Sequence, residues 1–218
     1  MARKILFSEV IQASWKGLIS QIWLLTGLFI GYITVNLALI LFIPFPSKDT
    51  AIGFTGIAIS LLSLVFTLLF SLGYTKNLFQ TLDGEEPQFS AYGRQSKKII
   101  TWSIASIIYA VIVLIGLSLL IVPGVYLAIR LQFFAAAIVD EDAGIIASLK
   151  RSWEITKGQT LSLFVLLLIY KGLIILGLAL IGIGIFVTFP LAGLMYCNAY
   201  RKLTAFTTFT DEAIKEER

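Results

Sequence analysis

The 218-residue chain has no histidine and a single cysteine, Cys197. One cysteine cannot form an internal disulfide, and the absence of histidine removes the commonest general base and the commonest metal ligand. Charge is scarce as well. Only 14% of residues are charged, against about 25% in an ordinary soluble domain. Acids are missing from one particular place. All 13 lie in loops, lead segments or the tail, with Asp140 alone at the end of an apolar run. A carboxylate near the bilayer midplane usually marks proton- or Na⁺-coupled transport, so that class is disfavoured. No nucleophile–base pair, metal-ligand spacing or phosphate-binding loop occurs. The expectation is therefore no enzyme, no metal and no cofactor.

What the chain has instead is oil. Hydrophobic residues make up 58%, aromatic residues 13%, and glycine occurs 17 times. Mean hydropathy is +0.91. Apolar runs of eighteen residues or more recur, and such runs read as transmembrane helices. Six spans are expected: about Gln21–Ile43, Ala51–Phe79, Ile99–Val122, Val125–Val139, Thr160–Leu180 and Ile185–Phe206. Pro123-Gly124 is expected to turn span three into span four, and Gly182 and Gly184 to turn span five into span six. No cleavable leader is expected, because the first apolar run follows an amphipathic segment and no small-residue cleavage site comes after it. The fold class is thus an all-α integral membrane protein, six helices as three hairpins, each preceded by an interfacial lead helix.

The 17 basic residues sort unevenly about those spans. Fourteen fall before span one, between spans two and three, between four and five, or after six. Lys48 alone is on the opposite side, and Arg130 and Lys171 lie within spans. The positive-inside rule then places both termini in the cytoplasm. The same distribution accounts for the net charge of +4 without a nucleic-acid partner. A threefold internal repeat fits the layout, covering about 7–82, 89–140 and 145–209 within a single domain 1–210, before a charged tail 211–218. Ser14-Trp15 and Ser152-Trp153 each precede a span, with Gln21 and Gln159 at the same offset, and Phe89 to Lys98 occupies the same place before span three.

The lead segments are amphipathic. Ile145, Ile146, Leu149 and Trp153 share one face, and Lys150, Arg151, Glu154 and Lys157 the other. Phe7, Val10, Ile11, Trp15 and Leu18 repeat this against Glu9, Gln12 and Lys16. Trp15, Lys16, Lys150, Arg151 and Trp153 are the expected interfacial anchors, with Trp at headgroup depth and cations toward anionic lipid. An anchoring elbow and a membrane sensor both fit this pattern.

The stretch from Ile121 to Gly158 resembles a broad prokaryotic group of multi-span proteins. That group includes the membrane domain found with glycerophosphodiester phosphodiesterases and the UPF0259 (YciC-like) and DUF975-like proteins. The resemblance rests on Pro123-Gly124, Arg130, the acids Asp140 to Asp142, the lead helix Ala147 to Gly158 and Tyr200 to Leu203. It implies a helical membrane fold and little biochemistry. A phosphodiesterase would need a separate catalytic domain, for which this chain has no room.

Two cations at depth are the candidate site. Arg130, with Gln132 beside it, either snorkels toward headgroups or binds an anion in a cavity. Lys171, flanked by Tyr170 and Gly172, sits about 18 Å into its span. It either lines a cavity or reflects a tilted or later-starting helix. Asp140, Glu141 and Asp142 are expected to cap the next helix and to meet neighbouring Lys or Arg rather than to hold a metal. Gly27 and Gly31, and the stripe Gly56, Ser60, Ser63, Thr67 and Ser71, are expected to pack internally, with a homo-oligomer seam as the alternative. Two functions follow. One is a non-catalytic protein that binds membrane lipids or scaffolds a membrane partner. The other is a transporter or channel for an anionic or amphipathic solute using Arg130 and Lys171.

Overall fold

A computed structural model describes residues 6–42, 53–180 and 182–216, with side chains as far as residue 208. The expected turn between the first two spans, with Pro44, Pro46 and Lys48, lies outside the described residues, as do Ile181 and Arg218. Among the described residues the chain is helical, without strands: α1 (Phe7–Leu41), α2 (Phe54–Leu82), α3 (Ser90–Gln95), a 3₁₀ turn (Ser96–Lys98), α4 (Ile99–Leu119), α5 (Ile121–Leu131), α6 (Phe134–Asp140), α7 (Ile145–Ile155), α8 (Thr160–Ala179) and α9 (Ile185–Glu216). Five stretches are long and apolar enough to cross a bilayer: α1, α2, Ser90–Leu119, Ile121–Asp140 and α8. The 32-residue α9 is not one of these five.

Each lead helix bends into its span at a residue of one conformation. Gln21 has φ −131° and ψ 24°, Lys98 −95° and 0°, and Gln159 −115° and 9°. Seven residues before each bend stands a small, buried side chain, Ser14, Ala91 or Ser152, and an aromatic residue follows it, Trp15, Tyr92 or Trp153. Four residues after the small one, Leu18, Gln95 and Thr156 are buried too. An i,i+4 stripe of this kind seats one helix face on the bundle, and the bend then redirects the chain along the span.

Two expected boundaries are corrected. The break between spans three and four is at Leu120, which is extended at φ −163° and ψ 150°, not at Pro123-Gly124. Pro123 falls in the first turn of α5, where its missing N–H has no helical partner to lose. Gly124 serves packing: a Cβ there would lie 2.6 Å from Leu117 N and 2.5 Å from the Leu117 side chain. Span four is also not one helix. It breaks between Leu131 and Phe134.

Pro190, inside α9, cannot donate to the carbonyl of Phe186 four residues earlier. Thr26 of α1 donates its hydroxyl to that carbonyl at 3.1 Å. Ser63 and Thr67 of the α2 stripe reach α1, bonding Asn36 at 2.8 Å and Tyr32 at 3.3 Å. The main core joins α1, α2, α6 and α9 through Leu18, Leu25, Leu72, Phe79, Ala137, Val139, Leu194 and Tyr200. Cys197 is buried within it.

Candidate functional site

Arg130 is 3% exposed, near the C-terminal end of α5. Its guanidinium carbon lies 4.1 Å from the ring centroid of Trp153 and 5.9 Å from that of Tyr126. Those rings meet edge to face. An aromatic face attracts a cation most strongly when water is excluded. The guanidinium is therefore held by two rings rather than by a carboxylate, and its Nε has no hydrogen-bond partner. Trp153, an expected interfacial anchor, is thus also the platform for Arg130.

The helix break beyond Arg130 has its own support. Ser152 donates its hydroxyl to Arg130 O at 2.9 Å and accepts from Phe133 N at 3.0 Å. Thr156 donates to the same carbonyl at 3.1 Å. The backbone groups released by the break are satisfied from α7, as buried groups must be. Gln132, at the break, accepts at Oε1 from Tyr170 at 2.8 Å, and its backbone carbonyl accepts from Tyr196 at 2.9 Å. Gln132 and Tyr170 are thus brought together. Arg130 stands apart on its aromatic platform. Lys171 is exposed on the surface of α8 and lines none of the three cavities described below. Tyr196, which sequence reasoning did not single out, completes the Gln132 cluster, and only its place in an apolar helix hinted at a buried hydroxyl.

The acidic run diverges. Asp140 pairs with Arg201 at 3.0 Å, Glu141 with Arg151 at 3.0 Å, and Asp142 with Lys98. Lys98 also donates to the carbonyls of Ile138 and Val139 at 3.0 and 3.2 Å, capping the C-terminal end of α6. Arg201 reaches Asp83 at 3.0 Å as well, and Lys202 reaches Glu9 at 2.5 Å. The three acids thus tie the loop after α6 to three other parts of the chain. The expected capping is not seen: the N-cap residue of α7 is Gly144, and no side chain caps the helix. Among the described residues no three acids, cysteines or histidines gather as metal ligands would.

Of the other expected anchors, Trp15 and Lys16 are exposed on the first lead helix, and Lys150 is exposed with Glu154 3.9 Å away. Arg151 is turned to Glu141. Three cavities accompany these groups. One of about 740 Å³ runs between α1, α2 and α3, with Gly27 and Gly31 on its floor and Phe70 and Tyr92 on its walls. A Cβ at either glycine would meet nothing within 4 Å, so these glycines are not a packed contact within the chain. A second, of about 390 Å³, is ringed by Tyr32, Tyr74, Tyr170 and Tyr196. The third, of about 470 Å³, lies beside Lys16, Asp83, Asn198 and Arg201.

Five apolar helices of spanning length make this an all-helical chain of the multi-pass membrane class. It belongs to the family described as Domain of unknown function (DUF7847), whose model matches residues 92–214, more than half of the chain. The match covers Pro123-Gly124, Arg130 and the acidic loop, but it does not name the group which that pattern resembles. Neither a curated protein nor a solved structure matches the chain.

Proposed function

We propose that the protein is a non-catalytic, lipid-binding component of a prokaryotic plasma membrane. In this reading α9 is a sixth crossing helix, the crossings form three hairpins, and each hairpin is led by an interfacial helix. Both termini then face the cytoplasm, with most of the basic residues. The observation that carries the proposal is the cavity of about 740 Å³ between α1, α2 and α3. Its size is that of a ligand pocket, and apolar and aromatic side chains dominate its lining. Lead helices with exposed Trp15 and Lys16 suit a surface of anionic lipid. Service as a scaffold for a membrane partner is compatible with lipid binding.

The test is to purify the chain in mild detergent and measure bound phospholipid by native mass spectrometry. Retained phospholipid, recovered again after delipidation and lipid addition, is the expected result. A chain that neither retains nor rebinds any phospholipid overturns the proposal. Transport of an anionic solute through Arg130 and Lys171 has less support. One of these cations is stacked on rings and the other lies on the outer surface of its helix. Flux in liposomes that is abolished by Arg130→Gln would restore that reading.

A further inference from the structure

We propose that the groove between α1, α2 and α3 takes an acyl chain of an anionic glycerophospholipid, drawn from the leaflet on the lead-helix side. Arg94 and Lys97 receive its phosphate. The inference rests on the lipid-binding reading and names the lipid and the place.

Length comes first. Along α1 the groove runs from Trp23 to Val35. Twelve residues of helix rise about 18 Å, whereas the hydrocarbon core is about 30 Å thick. The groove thus serves one leaflet. A partner helix crossing the whole bilayer would find a seat for little more than half its length. An acyl chain anchored at one surface has the matching reach.

Shape is next. Bare glycines one turn apart, Gly27 and Gly31, open a channel along α1: among the described residues nothing comes within 4 Å of where either Cβ would stand. Phe70 and Tyr92 wall it with flat rings against which a flexible chain can lie.

Charge decides the headgroup. At the lead-helix end the lining includes Ser96, and Arg94 and Lys97 lie beside it in sequence, both exposed. Among the described residues neither has a carboxylate partner. Arg94 Nη2 bonds only neutral acceptors, Ser90 Oγ at 3.0 Å and Gln88 Oε1 at 3.3 Å. These fix the guanidinium without cancelling its charge. The neighbouring Lys98, by contrast, is turned inward to Asp142 and the end of α6. Trp23, 91% exposed near the same end of the groove, is the side chain that favours headgroup depth.

The test uses the full chain in detergent, with phosphatidylglycerol and phosphatidylcholine as ligands, read by native mass spectrometry. Wild type is expected to hold one phosphatidylglycerol in preference to phosphatidylcholine. Gly27→Leu with Gly31→Leu fills the channel and should reduce that occupancy about tenfold. Arg94→Gln with Lys97→Gln, both on the surface and harmless to folding, should lower phosphatidylglycerol affinity about tenfold or more, each cation near lipid being worth roughly a factor of five. That variant should weaken phosphatidylcholine binding much less, because the choline cation of that lipid offsets the attraction of its phosphate to the two side chains. Phosphatidylglycerol retained at wild-type level by the folded, filled variant overturns the groove, while lipid binding elsewhere survives. An unchanged headgroup preference in the Arg94/Lys97 variant overturns the phosphate assignment. A co-purifying polypeptide in place of lipid, lost on filling the channel, overturns the lipid as occupant. Wild type that binds neither lipid sinks the broader reading instead.

Discussion

Helix α4 and the α5–α6 run are neighbours in sequence and in space, yet their surroundings differ. In the most apolar stretch of Ser90–Leu119, 11% of residues are buried in protein; in that of Ile121–Asp140 the share is 50%. Ser106 and Ser118 of α4 turn back to carbonyls four residues earlier on the same helix. In α5–α6, Arg130 and Gln132 instead find partners on α7, α8 and α9. The difference shows where a membrane protein can keep polarity. A polar side chain is placed where other helices supply its partners, and a helix that faces lipid satisfies its own.

Three experiments can break this contrast. The largest effect is expected at the joint between the two elements. Gly124→Val would force α4 and α5 apart, and overpacking of this severity costs about 3 kcal/mol. A fall in unfolding midpoint in detergent reports it, and an unchanged midpoint denies the close contact with Leu117. Next come the two cations. Arg130→Leu removes a desolvated stack on Trp153 worth about 2 kcal/mol, whereas Lys171→Leu should leave stability unchanged or raise it. Equal losses from the two substitutions would erase the distinction between enclosed and outer surface. The smallest effects concern hydroxyls. Ser152→Ala and Thr156→Ala should each cost about 1 kcal/mol, and Ser118→Ala on α4 no more than about 0.5 kcal/mol. A Ser118 effect as large as that of Ser152 would mean that α4 is covered by something not in the chain.

Much of the helical layout was legible because oil and length mark a crossing segment locally. The bends at Gln21 and Gln159 were marked for the same reason, since the repeated Ser-Trp and Gln offsets lie within two turns. Other features depend on distant partners. Nothing near Gln132 announces a helix break, because the groups that satisfy it, Ser152 and Thr156, come some twenty residues later. Pro123 looked like a turn because proline breaks most helices, but in a first turn it breaks nothing. Gly124 could not be told from a turn glycine until Leu117 was placed against it. Asp140, Glu141 and Asp142 were legible as cation partners, but not which cation each would take. Lys171 was read as deep by counting residues along its helix, and counting cannot say whether a side chain points into the bundle or away from it.

The lone thiol has a practical consequence. Cys197 is sealed in the core, so reagents that modify sulfhydryls should leave the native chain unmarked. Any residue replaced by cysteine can then be interrogated without first removing the natural one, and membrane-impermeant maleimides applied from either side would map which loops face which compartment.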